Sequence, residues 1–128
     1  MNLVIVATGP IVAFRNRRER HHAWVASVMD AIEPPMFTCD PVLSEACFLL
    51  QHTEGGPDAV LDLVSRGLIR SDFRVTAELD SVCALMRRFA GVPMSLADAC
   101  LVRMSELDHS GRVLTLDSDF KIYLRNRR

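Results

Sequence analysis

Apolar side chains recur along this chain in two rhythms, short uninterrupted runs and longer stretches at helical spacing, the pattern of strands interleaved with helices. Leu3 to Val6 is a brief β-branched run that enters a tight turn at Thr8-Gly9-Pro10, and a helical pattern then spans roughly Glu19 to Ile32. Met36 to Cys39 reads as a second strand. Asp40 stands as an N-cap with Pro41 at the first helical position, and Val42, Leu43, Ala46, Cys47, Leu49 and Leu50 make the helix that follows apolar over a wide face. The breaker cluster Glu54-Gly55-Gly56-Pro57 turns the chain into a further helix, from about Pro57 to Arg66.

Leu68 to Phe73 is the third strand candidate. Beyond it Thr76 is a candidate N-cap, and Leu79, Val82, Cys83, Met86 and Ala90 repeat at helical spacing until Gly91-Val92-Pro93 ends the pattern. Ser95 opens the next helix, where Ala97, Cys100, Leu101 and Met104 fall on one face. Gly111 leads into the run Val113 to Leu116, closed by Asp117-Ser118-Asp119, and Ile122 to Leu124 is a short final strand candidate. This alternation implies right-handed βαβ units and an α/β domain: a mostly parallel sheet covered by helices on both faces. In such sheets ligands sit beyond the carboxyl ends of the strands, where the strand order reverses.

The length of 128 residues, 49% of them hydrophobic, suits a single domain over 1–128 with one core. No run approaches the roughly 18 apolar residues of a membrane span, and Met1-Asn2-Leu3 lacks the basic start of a secretion signal, so a soluble cytoplasmic protein with no membrane partner is expected. Cys39, Cys47, Cys83 and Cys100 form no CxxC pair, which argues against a zinc knuckle or a redox motif and for small buried hydrophobes. Net charge is only −1, but Arg15, Arg17, Arg18 and Arg20 form one basic run and Arg125, Arg127 and Arg128 another. Such runs are either solvated ends or contacts for phosphates.

Candidate chemistry lies with the acids. Glu45 stands early in the helix after the second strand, Asp98 at the start of the helix opened by Ser95, and Asp117 at the end of the Val113 to Leu116 run, with Asp119 two residues on. Each has an ordinary explanation alone: Ser95 and Asp98 have the spacing of a capping box, and Asp117 and Asp119 are common turn formers. Carboxylates gathered at one edge, however, repel one another unless a cation holds them ionised. Oxygen ligands without His or Cys nearby suit Mg²⁺ or Mn²⁺, and such ions orient phosphodiesters and activate water for in-line attack.

The segments "VATGPIVAF", "RRERHHAWV", "DPVLSEACFLL", "SLADACLVRMSE" and "VLTLDSDFKIY", in this order and at this spacing, resemble the PIN-domain family, especially the VapC-like ribonucleases of bacterial toxin–antitoxin systems. The resemblance covers essentially the whole chain. It implies a three-layer αβα fold and a Mg²⁺- or Mn²⁺-dependent endoribonuclease with three or four acids in one pocket. It also implies a homodimer and a small antitoxin partner. By motif, the second acid is Glu45, the third Asp98 and the fourth Asp117, with Asp119 as a near neighbour. Thr8 matches the hydroxyl residue that follows the first acid, and Arg15, Arg17, Arg18 and Arg125 are the candidates for RNA phosphates.

The first acid itself is missing. Its position is Ala7, a methyl where the resemblance implies an aspartate. Losing one ligand should weaken metal binding at least as much as the ~10 to 100-fold typical of losing an outer-shell partner, so RNA cleavage is expected to be slow or absent. An engineered substitution and a natural loss would both leave this residue. Rival chemistries find less support: His21 and His22 are neighbours on a helix, His52 and His109 accompany no GxSxG motif, and a receiver-type phosphoacceptor would need an acidic pair after the first strand. The alternative of a different class is a PIN-like module that binds RNA or an antitoxin without cutting. Trp24 and Phe48 are expected inside the core rather than at such an interface.

Overall fold

Three β-branched residues in succession leave no polar face to a strand, and Val4–Val6 (β1) is buried throughout, as a central strand of a parallel sheet must be. In the computed structural model, which describes residues 3–108, 111–118, 120 and 123, β1 lies between β2 (Met36–Cys39) and β4 (Arg112–Leu114), with β3 (Ile69–Phe73) outside β2. Every pairing among these strands is parallel. The register sets Ile5 between Phe37 and Val113. The chain thus steps outward from β1 to β2 to β3 and then crosses back to the far side of β1. That reversal places a crevice between the carboxyl ends of β1 and β4.

Helices α1 (Thr8–Arg15), α2 (His22–Asp30), α3 (Asp40–Leu49), α4 (Gly56–Ser65), α5 (Leu79–Arg88) and α6 (Leu96–Leu107) supply the outer layers of the αβα sandwich. α1 packs against α2, α3 and α4, and α5 against α6. α6 buries Ala97, Ala99, Cys100, Leu101, Val102 and Ser105, a set that runs most of the way round because the helix is covered by the sheet, α3 and α5. Beyond it, Tyr123 packs edge-on against Phe89 and Phe120. Gly111 is required where α6 returns to the sheet: a Cβ there would stand 3.0 Å from the Asp108 carbonyl oxygen and 3.1 Å from Ile5.

Several expectations shift. Thr8-Gly9-Pro10 is the first turn of α1, not a free turn, because Pro10 needs no amide hydrogen in a helix's first turn. α2 is shorter than the Glu19 to Ile32 pattern. The N-cap of α3 is Cys39, and Asp40 is the first helical residue. Thr76 lies inside a 3₁₀ turn, Val75–Glu78, closed by the Ala77 amide on the Arg74 carbonyl, so α5 begins only at Leu79. β4 stops at Leu114 rather than Leu116: its partner β1 has by then become α1, and the last rung is the Ala7 amide on the Leu114 carbonyl at 3.0 Å. Of the final strand expected at Ile122 to Leu124 only Tyr123 is among the described residues, and it is helical; Ile122 and Leu124 lie outside them, as do His109, Asp119, Arg125, Arg127 and Arg128.

Trp24 and Phe48 are not in the core. They are 54% and 67% exposed. On α3 the inward positions are Val42 and Ala46, and Phe48 projects from the opposite side; on α2, Val25 and Met29 turn inward and carry Trp24 away from the sheet. The cysteines are all free, with Cys39 and Cys100 buried and Cys47 and Cys83 half-buried. Contact with Cys100 and burial push the Cys39 thiol far up, so Cys39 packs as a small neutral hydrophobe, while the same contact lowers the Cys100 thiol. Among the described residues, no helix is long and apolar enough to cross a membrane.

Candidate active site

The crevice at the strand reversal is an open cleft of about 600 Å³. Its walls come from four places in the chain: Ala7, Thr8 and Gly9 after β1, Glu45, Phe48 and Leu49 on α3, Ser95 and Asp98 opening α6, and Thr115 to Asp117 after β4. The sheet topology alone accounts for the first and last of these. α3 adds Glu45 because it packs on α1 and α6, and α6 adds Asp98 because its N-terminus points at the same edge.

Each acid is held differently. The Thr8 hydroxyl donates to Glu45 Oε1 at 2.7 Å, which ties α3 to the start of α1. Asp98 and Ser95 form a reciprocal capping box: the Asp98 amide donates to Ser95 Oγ and the Ser95 amide to Asp98 Oδ2, both at 3.1 Å. The ordinary explanation for Asp98 is therefore realised, and the same residue still lines the cleft. Burial pushes the Asp98 carboxyl above the usual aspartate range. Its hydrogen bonds from Ser95 oppose that rise, while the charges of Asp117 and Glu45 add to it. Asp117 is exposed three residues past β4, in a turn where its amide donates to Thr115 Oγ1 at 3.0 Å.

Ala7 occupies the N-cap of α1. It is 5% exposed and supplies no side-chain acceptor to the free amides of the helix's first turn. A carboxylate at this position would meet both the unpaired N–H groups and the positive end of the helix dipole. The backbone thus offers a place for an acid that the sequence leaves as a methyl.

The pattern of segments and the arrangement of strands meet in one finding: the family model of the PIN domain matches residues 4–124. The chain belongs to the PIN domain family. Among solved structures, this PIN domain is similar to VapC20 of Mycobacterium tuberculosis, a toxin that cleaves the sarcin–ricin loop, with a TM-score of 0.79 at 19% identity over 93% of each chain. No curated protein matches its sequence.

Of the residues the sequence singled out, the PIN cleft gathers Ala7, Thr8, Glu45, Asp98 and Asp117. It does not complete a metal centre: among the described residues no three His, Cys, Asp or Glu side chains stand in an arrangement that could hold an ion. The donors have the right chemistry for a hard dication, yet the set present does not fit one. Arg15, Arg17 and Arg18 stand at the other end of α1, in a separate cleft. Sequence reasoning missed Phe48 and Leu49 as cleft residues. Their spacing from Glu45 on one helix was the available signal.

Proposed function

We propose that this chain is a VapC-like ribonuclease domain whose metal-dependent cleavage of RNA is impaired at its first acidic position. The observation that carries the reading is Ala7, which caps α1 without a side-chain acceptor and lines the same cleft as Glu45, Asp98 and Asp117. With that ligand absent, Mg²⁺ or Mn²⁺ binding is weak and RNA is hydrolysed slowly or not at all. Glu45, Asp98 and Asp117, with Asp119 as a neighbour, are the remaining catalytic and metal-ligating candidates. Thr8 serves by orienting Glu45. The likeness of fold to a toxin that cuts the sarcin–ricin loop supports RNA as the polymer. A homodimer, a cytoplasmic setting and a cognate antitoxin belong to the same proposal.

Ala7, which brings no acid to the cleft, also favours a second reading, a module that holds RNA or an antitoxin segment without turnover. The two separate in one experiment. A panel of structured and single-stranded RNAs is incubated with this chain and with Ala7→Asp in Mg²⁺ and in Mn²⁺. Cleavage by Ala7→Asp alone, abolished by EDTA, supports the ribonuclease. Binding without cleavage in both proteins replaces it with the binding module.

A further inference from the structure

The acid cleft poses a problem for any RNA ligand: Glu45, Asp98 and Asp117 repel phosphates, so attraction has to come from elsewhere on the surface. A second cleft, of about 620 Å³, lies at the far end of α1. Two segments separated in sequence build it, Arg15 to Arg18 from the last residue of α1 into the loop beyond and His52 to Glu54 between α3 and α4. It adjoins the acid cleft by two routes, along α1 from Thr8 to Arg15 and through the turn that leads from Leu49, the last residue of α3, to His52. At about 1.5 Å per helical residue, the two clefts are on the order of 10 Å apart, within the span of a few nucleotides of one strand.

The basic residues in this cleft divide into two kinds. Arg15 is already engaged: its Nε donates to the Ala59 carbonyl at 2.8 Å and its Nη2 pairs with Asp62 at 3.2 Å, which pins the end of α1 to α4. Arg17 and Arg18 are exposed and have no carboxylate partner among the described residues. Asn16 shapes their loop by accepting the Arg18 amide at 3.1 Å. His52 lines the same cleft with a further ring-nitrogen donor or acceptor, and Glu54 is the acidic residue in its lining among the described residues.

Resting on the reading of this chain as an RNA-directed PIN domain, we propose that the Arg17, Arg18 and His52 cleft holds the phosphodiester backbone of the RNA strand whose neighbouring segment enters the acid cleft. Arg17 and Arg18 contact phosphates, His52 adds a hydrogen bond, and Arg15 positions the loop without touching the ligand. Affinity and chemistry are thereby assigned to opposite ends of one helix.

The test uses the chain as it is and requires no catalysis. Binding of a fluorescent single-stranded RNA is followed by anisotropy over a salt series, for the parent, for Arg17→Ala/Arg18→Ala, and for Arg74→Ala/Arg87→Ala, which removes equal charge from exposed positions elsewhere. The cleft variant should bind about tenfold more weakly, with its salt slope shallower by about 1.4 for two lost single-strand phosphate contacts. The control variant should stay close to the parent. If the parent binds RNA and the cleft variant binds equally well, or the control loses as much, this assignment is overturned while the RNA reading stands. If the parent binds no RNA, both fall. A poly-glutamate peptide that binds in place of RNA would make the partner an acidic protein and overturn the assignment as well.

Discussion

The two clefts at the ends of α1 use charge in opposite ways. At the acid end Glu45 and Asp98 are tied down by Thr8 and Ser95, and Asp98 is buried enough for its carboxyl to rise above the usual range. At the basic end Arg17 and Arg18 stand exposed on a loop. Fixed, partly desolvated charges suit positioning of reacting groups, and exposed cations suit attraction that costs little structure. On the proposed reading, Ala7 leaves the geometry of the acid end in place while its methyl brings no charge there, and the basic end is untouched.

The sharpest contrast in stability comes from the floor beneath each end. Leu101 on α6 is buried under the acid cleft, so Leu101→Ala should cost about 2 to 5 kcal/mol in denaturant unfolding. Arg18→Ala should leave unfolding within about 0.5 kcal/mol of the parent, as a surface substitution does. Equal losses from the two would erase the distinction between a cleft built on the core and one built on a loop.

A smaller effect probes the hydrogen bonds that hold the acids. Ser95→Ala removes the N-cap of α6 and should destabilise by about 1 kcal/mol. Thr8→Val leaves Glu45 without its 2.7 Å donor and should cost about as much, with a further loss of any cleavage regained in an Ala7→Asp background. If that loss appears without any change in unfolding, Thr8 acts on ligand rather than through Glu45.

The smallest expected effect is one of pH. The carboxyl of Asp98 is raised in the folded state, so its contribution favours folding most when it is protonated and is lost as pH rises through the folded value. Asp98→Asn, which keeps a side-chain oxygen for the Ser95 amide, should therefore gain stability over the parent towards neutral pH. That gain should vanish in acid, below the ordinary aspartate range. A constant difference at all pH values would mean that desolvation and the neighbouring acids are not what raises it.

Much of this arrangement was legible in the chain because its signals are local. Val4 to Val6, Met36 to Cys39 and the Ser95-to-Asp98 spacing each encode their element within a few residues, and the PIN resemblance assigned the acids by order alone. What escaped depended on partners distant in sequence. The end of β4 is set by where β1 turns into α1, and the exposure of Phe48 by which side of α3 meets α1 and α6. The basic cleft joins loops more than thirty residues apart, so Arg15 looked equivalent to Arg17 and Arg18 until its contact with Asp62 separated them. The capping role of Asp98 and its place in the cleft were rival explanations in the sequence. In the fold they are both true.

On the proposed reading, Ala7 stands where the carboxylate cleft lacks a metal ligand. Isothermal titration of Mn²⁺ into the parent and into Ala7→Asp tests it most directly, because it needs neither a known RNA nor turnover. Binding should be at least ~10-fold tighter in Ala7→Asp, accompanied by a rise in its melting temperature with Mn²⁺ that the parent lacks. Equal, weak binding by both proteins would contradict it, since the position beside Glu45, Asp98 and Asp117 would then not be a metal-ligand position in this chain.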